Sequence, residues 1–172
     1  MTDTRLKPIA LILLDVDGVL TQGEVIYNDA GQETKAFHVR DGLGIRMLLE
    51  AGIQVGIVTG RRSMALVHRC RNLGLTLVRD GIRDKAAALA DILEETGIAA
   101  AATAFVGDDL PDLPIMRRVG VPIAVGDAHD LVKQAAVITT RAKGGQGAVR
   151  EVSERILKAR GDWEPLLSRL FP

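Results

Sequence analysis

One stretch near the start of the chain constrains the fold more than any other. Residues 9–14 form a continuous apolar run of strand length, which ends in Asp15 and Asp17, then Gly18 and, at the end of the turn, Thr21. Such a run, bounded by a turn signal, is typical of a strand buried on both faces of a parallel sheet. Asp15 and Asp17 point the same way if the strand stays extended, and Gly18 lets the chain turn at once. The stretch therefore predicts a central strand that delivers two acids to its carboxyl end.

The rest of the chain alternates predicted strands and helices joined by short loops. Strands are predicted over 54–58, 75–78, 104–106, 122–125 and 137–139, and helices over 45–51, 64–72, 84–96, 114–119, 129–135 and 149–160. This alternation is typical of a parallel sheet covered on both faces. Hydrophobic residues make up 47% of the chain and aromatic residues only 3%. This composition indicates a core of Ala, Val, Ile and Leu, which helices packed on a parallel sheet would bury. We predict an α/β fold, a three-layer Rossmann-like parallel sheet with helices on both faces.

Two segments stand outside this alternation. Two short alternating runs within about 23–38 flank an Asn-Asp-Ala-Gly turn and predict a small β-hairpin. Because the hairpin follows the acidic loop directly, we interpret it as a flap or a subunit contact rather than a simple edge hairpin. The tail 161–172 is rich in apolar residues and is expected to pack on its own domain or, by preference, on a neighbouring chain. We assign the whole chain, 1–172, to one domain.

Composition excludes several classes of partner and site. Lys plus Arg and Asp plus Glu both total 22, so nothing indicates a nucleic-acid or membrane-surface protein. The single cysteine, Cys70, cannot form an intrachain disulfide. The chain shows no basic-apolar leader and no apolar run long enough to span a bilayer, so we expect a cytoplasmic protein.

Polar clusters fall at the predicted carboxyl ends of three strands, where ligands bind in sheets of this kind. They are Asp15 with Asp17, residues 59–61, and residues 108–109. Two neighbouring carboxylates repel each other unless positive charge lies nearby, and hard oxygen ligands suit Mg²⁺ better than zinc. We predict a Mg²⁺ site formed by Asp15, Asp108 and Asp17, the last through its backbone carbonyl.

These residue types allow the hydrolysis of a phosphate monoester. Asp15 can act as the nucleophile and form an aspartyl-phosphate, while Asp17 protonates the leaving oxygen and later activates water. The Thr59 hydroxyl and the backbone around Gly60 can bind a phosphoryl oxygen. Lys85 lies in the first turn of a predicted helix, where the dipole disfavours it, so it can serve to neutralise phosphate and pair with Asp15. Taken singly, each has an ordinary alternative as a solvated acid, a turn residue or a surface lysine.

With these pieces placed, the chain resembles the haloacid dehalogenase superfamily of aspartate-nucleophile phosphatases. Residues 15–19 match the first motif of that family, Thr59 the second, Lys85 the third and residues 107–109 the fourth. The resemblance is closer to one branch, the cap-less 3-deoxy-D-manno-octulosonate 8-phosphate phosphatases. The segments similar to that branch are 37–46, 57–61, 69–70, 106–110 and 144–151.

The resemblance implies a Mg²⁺-dependent phosphatase with no cap domain, assembled as a homotetramer in which the hairpin and the chain end help to close a neighbour's site. It also implies a role in making cell-envelope lipopolysaccharide. A phosphorylated sugar acid carries two anionic groups, which arginines recognise well. The residues expected to bind this substrate are Asp17, His38, Val39, Arg40, Asp41, Gly42, Arg46, Thr59, Gly60, Arg61, Arg69 and Lys85.

Other interpretations stay open at this point. Related chains act on the 9-phosphate of a nine-carbon keto-acid sugar, and the motif residues do not separate the two substrates. Domains of this fold also occur as non-catalytic oligomerisation modules, although this chain carries the complete reactive set. A phospho-accepting receiver domain fits less well, because receivers have adjacent acids after the first strand. The chain also departs from the family at Gln22 and in the tail from residue 161 onward.

Overall fold

The computed structural model describes residues 4–171, which form one parallel sheet, its helices and a hairpin. The strands, in chain order, are β1 (Leu11–Leu14), β2 (Ile26–Tyr27), β3 (Glu33–Thr34), β4 (Gln54–Val58), β5 (Leu77–Arg79), β6 (Thr103–Gly107), β7 (Val121–Ala124) and β8 (Ile138–Thr139). The sheet has the order β5-β4-β1-β6-β7-β8, and every neighbouring pair in it is parallel.

Seven α-helices within residues 4–171 connect or follow these strands. They are α1 (Val39–Glu50), α2 (Met64–Leu73), α3 (Lys85–Thr96), α4 (Leu113–Met116), α5 (Asp130–Ala135), α6 (Ala148–Arg160) and α7 (Trp163–Leu170). Within residues 4–171, no helix has the length and apolar character needed to cross a membrane.

The helices divide between the two faces of the sheet. The connections through α1 and α2 run across the sheet in one direction, whereas those through α3, α4 and α5 run in the other. Because parallel crossovers are right-handed, this reversal places the two groups on opposite faces. The packing agrees, since α4 contacts α3 and α5 while α6 packs on α1. The predicted three-layer fold is confirmed.

The reversal makes the end of β1 the natural place for a site. All four residues of β1 are fully buried, and Leu14 is in register with Ile57 of β4 and Val106 of β6. The Asp15 amide N–H, just past β1, donates to the carbonyl of Val106 at 3.1 Å. The carboxyl ends of β1, β4 and β6 therefore meet side by side.

The predicted hairpin is present, and the described residues contain no cap domain. β2 pairs antiparallel with β3, and the Asn28 side-chain oxygen accepts from the amides of Ala30 (3.1 Å) and Gln32 (2.9 Å). Gly31 completes the turn at a φ of +73°.

Helix α1 begins at Val39, whereas the sequence predicts its start at residue 45. Two glycines in its first turns obscured this start, because glycine disfavours helix. They serve packing instead. A Cβ on Gly42 would lie 2.2 Å from the Arg69 guanidinium of α2, and one on Gly44 would lie 2.9 Å from the Ser153 hydroxyl of α6. The glycines let α1 approach both neighbours closely.

The apolar tail forms α7 and packs on its own domain. Leu166 is 4% exposed, and the Trp163 ring lies against Lys158, whose Nζ is 4.7 Å from the ring centre. Leu166 and Trp163 therefore pack on the chain's own domain, whereas Phe171 at the end of the tail is 56% exposed. Met1 to Asp3 and Pro172, which the predicted domain and tail include, lie outside the described residues.

Candidate active site

The turn after β1 shapes the floor of the site. The Val16 carbonyl accepts from the amides of Val19, Leu20 and Thr21, so the chain folds back tightly. Gly18 has a φ of +91°, and a Cβ there would lie 2.0 Å from Asp108 Oδ2. Only glycine fits this position, because it combines left-handed backbone with contact to a carboxylate.

A buried ion-pair cluster forms where β1 meets β6. Lys85 Nζ lies 2.9 Å from Asp15 Oδ1 and 2.6 Å from Asp112 Oδ1. The Lys85, Asp15 and Asp112 side chains are only 5%, 11% and 1% exposed. Asp84 caps α3 by accepting from the amides of Ala86 and Ala87. Lys85 is the first residue of that helix, and its side chain faces the acids. The interpretation of Lys85 as a solvated surface lysine is therefore wrong.

Burial and mutual repulsion perturb these groups strongly. Burial raises the pKa of Asp15 to about 6, assisted by the Asp112 charge and opposed by Lys85. Burial, with repulsion from Asp15, Asp112 and Asp109, raises the pKa of Asp108 to about 8. For Lys85, burial favours the neutral form, but Asp15 and Asp112 outweigh it and raise the pKa. Asp15 is thus mostly ionised at neutral pH, next to a charged lysine.

Three carboxylates of this cluster fit a hard divalent cation. Asp15, Asp108 and Asp112 each offer an oxygen, and these oxygens lie within 4.8 Å of one another. Asp108 Oδ1 is buried and has no hydrogen-bond partner in the described part of the chain. An unpaired buried carboxylate oxygen among other acids is costly unless a cation binds it. The Asp17 carboxylate lies outside this set, so its predicted ligation rests on the backbone carbonyl.

Sequence reasoning missed Asp112. Its Oδ2 accepts from the Asp108 amide at 2.9 Å, while its Oδ1 pairs with Lys85. A Cβ on Gly107 would lie 2.5 Å from Asp112 Oδ2, so this turn is closed tightly around the acid. One feature of the sequence could have indicated this residue: Asp112 is an acid that follows Asp108 closely, after a short proline-containing turn.

Asp17 stands on the hairpin side of the cluster. Lys35 pairs with Asp17 Oδ1, and Arg61 Nε lies 3.6 Å from Asp17 Oδ2. Glu33 of β3 accepts from both cations, at 2.9 Å from Lys35 and 3.1 Å from Arg61. Neither Lys35 nor Glu33 was singled out from the sequence.

Thr59 and Gly60 follow directly after β4, the strand next to β1. Thr59 is 2% exposed, and its amide donates to the Arg79 carbonyl at 2.9 Å, which extends the pairing of β4 with β5. The Thr59 hydroxyl accepts from the Arg61 amide at 3.4 Å. The loop thus presents a hydroxyl and the exposed Gly60 backbone beside the acids.

The other predicted substrate residues gather at the start of α1. Arg69 Nη2 donates to the His38 carbonyl at 3.4 Å, and Arg46 donates to the Asn72 carbonyl at 2.7 Å. Val39 is 78% exposed and Arg40 is also exposed, while Gly42 is buried against Arg69. Across residues 4–171, no hydrogen bond or ion pair joins this group to the acidic cluster.

Asp41 occupies a different environment from its neighbours. It is 1% exposed, and its carboxylate accepts from the amides of Gly147 at 3.3 Å and Arg150 at 2.7 Å. Burial raises its pKa, while those two hydrogen bonds oppose the rise. The side chain therefore fixes the start of α6 against α1, and its contact with substrate stays a prediction.

Comparisons with known proteins agree with this arrangement. A family model for haloacid dehalogenase-like hydrolases matches residues 75–151. The 3-deoxy-D-manno-octulosonate 8-phosphate phosphatase of Escherichia coli strain K12 is 48% identical over 157 residues, which cover 91% of this chain and 84% of the relative.

Solved structures of the same class superpose on the fold. A phosphatase of that name from Yersinia pestis matches with a TM-score of 0.92 and 44% identity over 93% of this chain and 86% of its own. Another, from Moraxella catarrhalis, was solved with a magnesium ion, a phosphate ion and a KDO molecule. It matches with a TM-score of 0.93 and 41% identity over 96% and 95% of the two chains.

Proposed function

We infer the function from one premise: the chain belongs to the 3-deoxy-D-manno-octulosonate 8-phosphate phosphatases, a family of haloacid dehalogenase-like hydrolases. It is a phosphoric monoester hydrolase that cleaves 3-deoxy-D-manno-octulosonate 8-phosphate to the free sugar acid and phosphate. The observation that carries this conclusion is the pair formed by the buried Asp15 carboxylate and the Lys85 ammonium, 2.9 Å apart. Such a pair at a strand end suits an anionic nucleophile that must accept an anionic substrate.

Mg²⁺ is the cofactor. We propose Asp15, Asp108 and Asp112 as its carboxylate ligands, because one oxygen of each lies within 4.8 Å of the others. The Asp17 backbone carbonyl is proposed as a further ligand. When bound, the ion offsets the repulsion between these carboxylates and the phosphate dianion. The unpaired Asp108 Oδ1 and the strongly raised pKa of Asp108 both fit this assignment.

The two catalytic acids take different roles. An Asp15 oxygen attacks phosphorus, and the bond between phosphorus and the sugar oxygen breaks. Asp17 gives its proton to that leaving oxygen. Water then attacks the aspartyl-phosphate and returns a proton to Asp17, which regenerates Asp15 and releases phosphate.

Three further groups bind the phosphoryl oxygens. Lys85 neutralises charge next to Asp15, and the Thr59 hydroxyl and Gly60 backbone donate hydrogen bonds. Preorganised donors of this kind stabilise the charge that develops in the transition state.

The sugar acid itself contacts the α1 side of the site and the exposed arginines. Guanidinium groups suit the carboxylate and hydroxyl groups of such a sugar. The residues that we propose for this role are His38, Val39, Arg40, Asp41, Gly42, Arg46, Arg61 and Arg69. Because no hydrogen bond or ion pair joins the α1 members of this set to the acidic cluster within residues 4–171, we expect some to serve the site of a neighbouring subunit.

We propose that this assembly is a homotetramer of single-domain chains, 1–172. The hairpin supports it, because Val25, Ile26 and Tyr27 are apolar yet 46%, 50% and 59% exposed. Exposed apolar groups next to a site favour a subunit contact. We further propose that the enzyme works in the cytoplasm and serves lipopolysaccharide synthesis.

Phosphate release from a panel of sugar phosphates tests this function. Wild type and Asp15→Asn are compared with Mg²⁺ and with a chelator, and the oligomer is checked by light scattering. We expect metal-dependent release that is selective for the octulosonate 8-phosphate and falls at least about 10⁴-fold in the variant, since the nucleophile is lost.

The panel also separates the alternatives. Preference for a nine-carbon keto-acid 9-phosphate would change the substrate and leave the mechanism intact. A folded, metal-loaded oligomer that releases phosphate from no panel member would instead be an assembly module.

A further inference from the structure

Lys35 is buried between two carboxylates at the edge of the active site. It follows β3 directly, and its side chain is only 1% exposed. Its ammonium pairs with Asp17 Oδ1 and lies 2.9 Å from Glu33 Oε1. Lysine is almost never fully buried unless it is paired. One partner of Lys35 is Asp17, which we propose as both the acid and the base of the reaction.

The second cation near Asp17 behaves differently. Arg61 has a 42% exposed side chain, and its Nε is 3.6 Å from Asp17 Oδ2, which is longer than a hydrogen bond. It is held mainly by Glu33 at 3.1 Å and by the Tyr27 hydroxyl at 3.4 Å. The Arg61 side chain is therefore partly open to a ligand, whereas the Lys35 side chain is enclosed with its two carboxylate partners.

The two oxygens of Asp17 are distinguished by this arrangement. Oδ1 accepts from Lys35, while Oδ2 is buried and has no hydrogen-bond partner among the residues that the structure describes. Proton exchange needs a carboxylate oxygen that is free and correctly oriented. Because Lys35 occupies Oδ1, Oδ2 is the oxygen left for this exchange.

We propose that Lys35 is a positioning residue for Asp17, a role that rests on the proposed function. By binding Oδ1, Lys35 fixes the rotation of the carboxylate and leaves Oδ2 to carry the proton. That proton passes from Oδ2 to the sugar oxygen as its bond to phosphorus breaks, and the attacking water later restores it. Glu33 holds Lys35 in place from the other side, so the hairpin supports the orientation of the acid.

Leaving-group dependence tests this role. The sugar alkoxide needs a proton to depart, whereas the nitrophenolate of p-nitrophenyl phosphate departs without one. We compare kcat/KM for both esters in wild type, Lys35→Met and Lys35→Arg, with Mg²⁺ present. Lys7→Met is the matched control, because Lys7 is exposed and precedes β1, at the opposite end of the strand.

We expect Lys35→Met to lower kcat/KM for the octulosonate 8-phosphate about 10²-fold, within the usual contribution of general acid catalysis. The value for p-nitrophenyl phosphate should change less than about threefold, because that ester bypasses the acid. Lys35→Arg should restore most of the sugar-phosphate activity, and Lys7→Met should match wild type. Melting temperatures measured with Mg²⁺ establish that the variants compared are folded.

Equal losses on both esters would show that Lys35 acts on phosphate binding or on the fold, and would overturn the proposal. Unchanged activity of Lys35→Met on the sugar phosphate would overturn it as well. If wild type hydrolyses p-nitrophenyl phosphate but not the octulosonate 8-phosphate, the proposed substrate is wrong. The same variants are then compared on the alkyl phosphate that the substrate panel identifies, so the role of Lys35 is decided separately.

Discussion

The acidic centre and the rim of this site both rely on ion pairs, yet the fold holds them in different ways. In the centre, Lys85 and Asp112 have side chains 5% and 1% exposed and come from a helix start and a tight turn beside the sheet. At the rim, Arg61 is 42% exposed and its partner Glu33 belongs to a two-stranded hairpin. Sheet topology brings Asp15 and Asp108 together in the centre, and packing adds Lys85 and Asp112 to them. The rim depends on side chains that the hairpin contributes.

The largest contrast is expected from Lys85→Met. Without the ammonium, Asp15 and Asp112 lose their shared cation in a buried place. Breaking a buried pair typically costs about 3–5 kcal/mol, and loss of one transition-state donor lowers kcat about 10²–10³-fold. Chemical denaturation in chelator measures the first effect, and phosphate release with Mg²⁺ measures the second. Because Mg²⁺ supplies positive charge to the same acids, the destabilisation should be smaller when the ion is present.

A Lys85→Met protein as stable as wild type in chelator would contradict the inference that the Lys85 ammonium stabilises the buried acids of the centre. Lys7→Met, at the opposite end of the sheet, should leave both readouts unchanged.

Gly18→Ala tests how closely the centre is packed. The new Cβ would lie 2.0 Å from Asp108 Oδ2, and the φ of +91° would add strain of about 1–2 kcal/mol. We expect weaker Mg²⁺ activation and a loss of activity of about tenfold or more, as a displaced ligand would produce. The matched control is Gly52→Ala, where φ is +76° and nothing lies within 4 Å of the new Cβ.

The control should lose stability through backbone strain alone and keep its metal dependence. If both alanine variants respond equally to Mg²⁺, contact between Gly18 and Asp108 is not what requires glycine there.

The positions of several groups in the centre could be predicted from the sequence because they depend on topology, while the roles of those groups stay predictions. Asp15, Thr59 and Asp108 each follow a strand, and the strand ends meet wherever the chain reverses its direction across a parallel sheet. Lys85 was found by a local conflict, since a lysine in the first turn of a helix opposes the dipole. These signals need no knowledge of side-chain packing.

The residues that were missed depend on packing. In the sequence, Asp112 is one more acid of a loop and Lys35 is one more charge of a hairpin. Only the folded chain shows that both side chains are buried. Asp41 is the opposite case, because the sequence singled it out and the folded chain shows a structural contact for its side chain. It lies in a segment that resembles a substrate-binding one, yet its carboxylate is hydrogen-bonded to the start of α6. Contacts between residues more than 100 positions apart leave no local pattern.

Metal-free stability should depend on pH through the centre rather than the rim. Folding raises the pKa of Asp108 from 3.8 to about 8 and that of Asp15 from 3.8 to about 6. The folded state therefore holds protons that the unfolded chain releases, and this stabilisation is lost as pH rises through these two values. We expect melting temperatures in chelator to fall by several degrees between pH 5 and pH 8, a shift that corresponds to about 1 kcal/mol or more.

Mg²⁺ should reverse that trend, because it binds the ionised carboxylates and stabilises the folded state more at pH 8 than at pH 5. A chelated protein whose melting temperature rises steadily over this range would argue against crowded, protonated acids in the centre.

The smallest effect is expected from Arg46→Ala, in the group of predicted substrate residues at α1, outside both the centre and the hairpin-dependent rim. Arg46 is exposed and donates to the Asn72 carbonyl at 2.7 Å, so its removal should cost the fold less than about 1 kcal/mol. If it contacts the sugar acid in the assembled enzyme, KM should rise about threefold to tenfold, which corresponds to about 1 kcal/mol of binding, with kcat nearly unchanged. Steady-state kinetics on the octulosonate 8-phosphate and on p-nitrophenyl phosphate separates this role from a catalytic one, because the aryl ester has no sugar to bind. A fall in kcat for both esters would show that Arg46 acts on the reaction at the centre rather than on binding of the sugar.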